Sequence, residues 1–361
     1  MKSRILFVTQ RQFGYHWNHY YAKYLRDSYN IDYLCHDMGM VKVDMPGVNI
    51  FYLPFHKNKI KRILLFLNKI IHLTFQNKYD IVLYIYFKYV FMAGLLSKCK
   101  NKLLFIPSGS LQNNFIKRKL INIIIRLNSY FFKKIIVHSV DIIKYLSLSD
   151  KKTIVIPLGA PIISNYIKSY EKLHLLYIGT FYQRNIKDTL IGFHKFIKKY
   201  NYNMDIKYDI IGYGPKNEEK VILDTIHEYK LNNYVKYHGR KNHYQAVEFF
   251  NKANVGICYV PIKEYFQDQV STKLFEYILS GMHTIATNTK ENKKYINSEN
   301  GILCLDNPES FYESLIKVYK NRKYFDSNKI RQSLYDYSWE KIVNNKVKPL
   351  LKEDKKHSDY I

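Results

Sequence analysis

Apolar runs and amphipathic stretches alternate along the whole chain. Residues 5–9 are an apolar run that suits a parallel strand buried on both faces. A helical pattern over about 16–27 follows. Residues 31–35 and 48–53 read as the next strands, and 57–78 as a long helix. Strands at 81–86 and 103–106, a helix at 115–132, and strands at 135–138 and 153–156 close the first half. The stretch from Pro157 to Pro161 interrupts the pattern. The alternation then restarts, with strands at 175–178, 206–211, 235–238 and 255–260, and helices at 188–199, 218–229, 245–251, 308–320 and 338–352. Strands that alternate with helices predict βαβ units and parallel sheets covered by helices, an α/β fold class. We place one domain at 1–163, a second at 164–337, and a last helix with a charged tail at 338–361.

The densest stretch is 268–288. It reads as loop, short helix, glycine stop and strand. Ser271 or Thr272 is placed to cap the helix by accepting a hydrogen bond from its first N–H groups. Gly281 stands where a left-handed residue ends a helix. Leu274, Phe275, Ile278 and Leu279 make the helix apolar over most of its girth and predict its burial. Lys273 and Glu276, three residues apart, share a face near the N-terminus. A buried charge needs a partner. The two form either an internal ion pair or, at the anion-binding end of a helix, a site for a ligand with phosphate and hydroxyl groups.

The formal net charge is +27, which favours anionic partners: nucleic acid, phosphorylated substrates or anionic lipid. It is spread along the chain, but two helical stretches, 57–78 and 115–134, carry basic residues and no acid. A basic amphipathic helix is either an ordinary outer helix with a lysine-rich wet face or a helix that lies on an anionic membrane surface. Their apolar residues are expected to face partly inward to the sheet, leaving a rim for lipid, so that the attraction is mainly electrostatic. The four cysteines, Cys35, Cys99, Cys258 and Cys304, form no Cys-x-x-Cys and read as reduced, mostly buried thiols of a cytoplasmic protein. The N-terminus runs straight into a strand without the apolar region of a signal peptide. No apolar run approaches the roughly 20 residues that span a bilayer. Gly14 sits in the first strand-to-helix loop, where open α/β folds bind ligands, although no Gly-x-Gly-x-x-Gly is present. His16 and His19 make a pair with no third metal ligand in view, so no metal site is assigned.

The second half resembles the retaining glycosyltransferases of glycosyl transferase group 1. The resemblance rests on Leu176-Tyr-Ile-Gly179, Ile210-Ile-Gly-Tyr-Gly-Pro215, Val235-Lys-Tyr-His-Gly-Arg240 and Lys273-Leu-Phe-Glu-Tyr-Ile-Leu-Ser-Gly281, which together cover most of 173–305. In the first half only the alternation and Val155-Ile-Pro-Leu-Gly159 are similar. Ser338-Trp-Glu340 precedes the last helix as in the family. The resemblance implies the GT-B fold, two facing Rossmann-like domains whose C-terminal helix crosses back to the first. It implies a donor signature of two carboxylates: Glu276 toward the nucleotide ribose, and Asp268, where a Glu is usual, toward the transferred sugar, with Glu264 as a rival. The family's Arg after the glycine is here Thr180. Arg184 and Lys187 in the same loop, with Lys273, are the implied diphosphate ligands. Gly179, Gly212, Arg240, Ser271, Thr272 and Gly14 complete the candidate binding set. The donor substrate would be a nucleotide-diphosphate sugar with no separate cofactor and no metal. The acceptor would be a glycan or lipid-linked glycan in bacterial surface polysaccharide synthesis, met on the inner face of the cytoplasmic membrane. A nucleic-acid-binding protein is the competing reading of the charge. It is disfavoured because the aromatics fall inside strands and helices and no nucleic-acid motif is present. A GT-B enzyme of another reaction type stays open.

Overall fold

The computed structural model describes residues 2–14, 16–110, 112, 114–202, 205–269 and 271–356. Leu111, Val270 and the tail 357–361 lie outside the described residues. The chain divides into two compact units, Met1–Leu158 with Trp339–Ile361, and Gly159–Ser338.

The first unit is a sheet of seven parallel strands: β1 (Arg4–Val8), β2 (Asn30–Asp37), β3 (Val48–Pro54), β4 (Ile81–Ile85), β5 (Lys102–Ile106), β6 (Lys134–Val137) and β7 (Thr153–Val155). Their order is β3-β2-β1-β4-β5-β6-β7, and every pairing is parallel. The apolar runs form these strands because both sheet faces are covered. All of β4 is buried. The helices are α1 (His19–Leu25), α2 (Lys59–Gln76), α3 (Val90–Leu96), α4 (Phe115–Ser129) and α5 (Val140–Leu146). Asn58 and Asn114 cap α2 and α4, each side chain accepting the N–H three residues on. The helices α3 and α5, too short for a clear period, were not expected from the sequence. The chain end belongs to this unit. Trp339 is buried against Trp17, with ring centroids 5.8 Å apart, and against Tyr20 and Tyr21 on α1.

The second unit has six parallel strands: β8 (Leu173–Thr180), β9 (Ile206–Tyr213), β10 (Val235–Tyr237), β11 (Val255–Cys258), β12 (His283–Thr287) and β13 (Gly301–Cys304). Their order is β10-β9-β8-β11-β12-β13. The helices are α6 (Ile186–Lys199), α7 (Lys216–Glu228), α8 (His243–Lys252), α9 (Glu264–Gln267), α10 (Thr272–Leu279), α11 (Asn292–Tyr295), α12 (Pro308–Asn321) and α13 (Ser327–Ser333). The order reverses at β8: the chain builds β9 and β10 on one side and returns to place β11 on the other.

The last helix, expected as one piece, comes in three. Trp339–Ile342 is α14, Val343–Val347 is a π-helical turn and Lys348–Lys356 is α15. The widened turn lies directly before Pro349, whose ring nitrogen cannot donate to a regular helix. All four cysteines are buried and free. Among the described residues no helix is long and apolar enough to cross a membrane.

Candidate functional site

In an open parallel sheet, ligands bind outside the carboxyl ends of the strands where the order reverses. In the second unit that place is between β8 and β11. A cavity of ≈ 240 Å³ lies there. The end of β8 contributes Gly179 and Thr180, the end of β11 Cys258 and Tyr259, and α10 its first residues, Thr272 and Lys273.

The sequence seats α10 here in three ways. Its apolar face, Leu274, Phe275, Ile278 and Leu279, is buried as expected. Gly256 leaves room for Tyr277, since a Cβ there would lie 2.3 Å from the Tyr277 ring. The Tyr277 hydroxyl in turn accepts the Ile178 N–H at 2.9 Å, tying the helix to β8. Gly281, at φ +74°, closes the helix. Its N–H reaches the Ile278 carbonyl and the Met282 N–H reaches Tyr277, the paired bonds of a Schellman stop.

The helix start differs from the expected cap. Ser271 is the N-cap residue, but its side chain makes no capping bond. Its Oγ instead accepts from the Cys258 thiol at 3.3 Å. Burial raises the Cys258 pKa to about 11, so this thiol stays protonated and inert. The positive end of α10 is thus left without a side-chain cap where Thr272 and Lys273 line the cavity.

Arg184 lines the opposite wall. The turn that carries it closes with its N–H on the Phe181 carbonyl at 3.0 Å. Its guanidinium lies 4.4 Å from the centre of the Phe266 ring, a cation–π contact that holds it over the cavity. Lys273 Nζ donates to Glu276 Oε2 at 2.6 Å; the lysine is about one-third exposed (35 %) and the glutamate nearly covered (12 %). The internal ion pair of the first sequence alternative therefore exists. The lysine of that pair also faces the cavity, so the two alternatives are compatible.

Of the candidates, Arg184, Lys273, Gly179, Ser271 and Thr272 come together at the cavity, with Glu276 behind Lys273. The others do not line it. Asp268 ends α9, with Oδ1 3.9 Å from Lys290 Nζ, and Gln269 lines the wall in its place. Glu264 opens α9 and is exposed. Lys187 is not in the loop; it is exposed on the first turn of α6, because the helix begins at Ile186. Gly212 is structural, since β9 passes so close to β8 that a Cβ there would lie 2.1 Å from the Gly179 carbonyl oxygen. Arg240 is exposed and lies over Tyr213, 4.6 Å from the ring centre. Gly14 is in the first unit, at φ +86°. There His16 Nδ1 meets Asn18 Oδ1 at 2.9 Å and His19 Nδ1 meets the His16 carbonyl at 2.8 Å, so both rings are engaged locally.

Sequence reasoning missed Gln269, Asn292, Tyr259 and Phe266 in the cavity wall. Tyr259, which directly follows β11, was findable: its place at a strand's carboxyl end is the signal. Asn292 was not, because its buried amide is set by a bond to the Thr287 carbonyl at 2.8 Å.

Residues 172–321 match the family model described as Glycosyl transferases group 1. No curated protein matches the sequence. Solved structures with a similar fold include a sucrose-phosphate synthase from Thermosynechococcus elongatus, at TM-score 0.75 and 14% identity over 98% of this chain and 99% of that one. Another is HepE of Anabaena in complex with UDP, at TM-score 0.69 and 10% identity over 97% and 99%. A third is the lipopolysaccharide outer core galactosyltransferase WaaB in its apo form, at TM-score 0.64 and 16% identity over 96% and 99%. Residues 172–321 therefore carry a glycosyl transferases group 1 domain, set in a chain of GT-B fold.

Proposed function

We propose that the protein transfers a sugar from a nucleotide-diphosphate sugar to a hydroxyl acceptor. The observation that carries this reading is the cavity at the strand reversal, where the uncapped start of α10 meets Arg184 and Lys273. An N-terminal helix end and two cations form a site for a diphosphate. They stabilise it most as it departs with growing negative charge. The planar fork of Arg184 suits two phosphate oxygens at once. Glu276, which aims Lys273, is the acceptor for ribose hydroxyls in this reading. UDP in the Anabaena neighbour supports a nucleotide of this kind as the donor's leaving group.

Three finer points belong to the proposal. Transfer proceeds with retention, as the resemblance in 173–305 implies. It needs no divalent ion, because the diphosphate meets cations and a helix end, and no carboxylate is among the described cavity-lining residues. The acceptor is a glycan, free or lipid-linked, of a bacterial surface polysaccharide.

A thermal-shift screen tests the first step. A nucleotide diphosphate or its sugar should raise the melting temperature; at a hundred times Kd the stabilisation is about 2.7 kcal/mol. Glu276→Ala, which removes the ribose contact, should reduce the shift. Stabilisation by oligonucleotides alone would replace this reading with nucleic-acid binding. Turnover in chelator should equal that with Mg²⁺, and the product anomer, read by NMR, should match the donor.

A further inference from the structure

The face of α4 that points away from the core carries a stripe of large apolar side chains. Ile116, Leu120, Ile123 and Leu127 recur at spacings of four and three, which is one side of the helix, Phe131 follows just past its end, and all are exposed; Ile116 is 68 % exposed and Leu120 56 %. The inward side carries Arg118, Asn128 and Ser129 beside Ile125. The expectation that the apolar residues of the basic helices face partly inward holds for α2, whose Phe66, Leu67, Ile70 and Leu73 are buried, while in α4 Ile125 is the buried one and most of the others face out. The neighbouring helices continue the surface. The helix α3 packs against both α2 and α4. It exposes Met92, Leu95 and Leu96, and α2 exposes Ile60, Leu64 and Phe75. Phe91 on α3 meets Phe131, with ring centres 5.8 Å apart.

Charge identifies the occupant. Lys117, Lys119 and Arg126 flank the stripe on α4, Lys98 and Lys100 follow α3, and Lys59 and Lys61 stand on α2; all are exposed. Between Asp44 and Asp141 the sequence has a single acid, Asp80. Its carboxylate accepts the Arg4 N–H at 2.8 Å. A second copy would bring two such basic faces together against their own repulsion. A nucleic acid would leave the aliphatic side chains with nothing to gain, since bases stack on aromatics and not on isoleucine or leucine. A bilayer with anionic headgroups satisfies both features at once.

We infer that the α2–α3–α4 face of the first unit docks on an anionic lipid surface, its Ile, Leu and Phe side chains entering the headgroup boundary and its lysines meeting lipid phosphates. The inference is independent of the sugar-transfer reading, and its test needs no turnover. The full chain is co-sedimented with vesicles of phosphatidylcholine alone and of phosphatidylcholine mixed with phosphatidylglycerol. Binding to the mixed vesicles should exceed binding to the neutral ones by about tenfold or more, as several basic residues near acidic lipid require. The double substitution Leu120→Glu with Leu127→Glu should lower it by a comparable factor at both low and high salt. Lys117→Glu with Lys119→Glu should lower it at low salt only, because salt screens charge and not apolar burial. Both pairs replace exposed side chains, so their melting temperatures should stay near that of the parent. The inference is overturned by absence of binding to mixed vesicles at low salt or by indifference to the leucine substitutions. It is equally overturned by self-association that those substitutions abolish without vesicles, or by retention on an oligonucleotide in place of the vesicles.

Discussion

The helices α4 and α6 hold equivalent places, each following a strand of a parallel sheet, yet they are built in opposite senses. The inward side of α6 carries Leu190, Phe193, Phe196 and Ile197, all fully buried. The inward side of α4 carries an arginine, an asparagine and a serine beside Ile125, while Ile116, Leu120, Ile123, Ile124 and Leu127 face out. Both sequences have the 3.6-residue period. The period shows that a helix has an apolar side; it does not say which way that side points. For α6 the core decides, and for α4 something outside this chain has to.

The two units also differ in how they hold histidine, and here the largest effect is expected. In the first unit burial lowers the pKa of His16, His36 and His138 each to about 4. In the second it lowers His283 to about 3 and His194 by less. A histidine held neutral in the fold takes a proton more readily when unfolded, near its ordinary value of about 6.5. Its stabilising effect is therefore full above that value. It falls as pH drops toward the folded value, by at most about 1.4 kcal/mol per pH unit for each group. Both tryptophans, Trp17 and Trp339, belong to the first unit, so their fluorescence reports that unit alone. Urea midpoints read by tryptophan should fall between pH 7 and pH 4.5, and more steeply than midpoints read by circular dichroism. A tryptophan midpoint that stays flat over that range would remove the contrast.

Next in size is the core of α6. Phe193→Ala should cost about 3–5 kcal/mol, the usual loss for an enclosed phenylalanine. Calorimetry should show the second unit melting early. A loss below 1 kcal/mol would mean that α6 is no better packed than the outer side of α4.

The cavity residues come third. Arg184→Ala should lower kcat/KM by about 1.5–3 kcal/mol of transition-state stabilisation, mostly in kcat. Glu276→Ala should act more on donor KM. If both folded variants kept near-parental kcat/KM, the diphosphate site would have to lie elsewhere. These residues show what the sequence can and cannot reveal. Arg184, Lys273 and Gly281 were legible because each depends on local context: a loop after a glycine, the first turn of a helix, the end of that helix. Gly256 was illegible, because its reason is the ring of Tyr277, which enters from another element. The four-residue helices α9 and α11 were illegible too, since so short a stretch shows no period. Asp268 and Lys187 were misplaced for the same reason. A shift of one or two residues at the start or end of a helix turns a side chain away from the cavity.

The smallest effect discriminates best, because it contrasts adjacent residues of α4. Asn128 is buried; its Oδ1 accepts the Phe91 N–H at 3.1 Å and its Nδ2 donates to the Ile124 carbonyl at 2.7 Å. Leu127 is 54 % exposed. Hydrophobicity alone ranks the leucine as the costlier loss. The structure ranks them the other way. Asn128→Ala leaves the half-buried Phe91 N–H without its acceptor, a loss of about 1–3 kcal/mol. Leu127→Ala removes a side chain that covers little, and should shift stability by no more than about 0.5 kcal/mol. Urea unfolding of the two variants, with equal m-values, gives the comparison directly. If Leu127→Ala is the more damaging, α4 is turned the other way in solution and its apolar stripe belongs to the core. If the structure's ranking holds, the stripe contributes almost nothing to folding. Four large apolar side chains of α4 kept in water without a folding role would then have to be explained by what they bind.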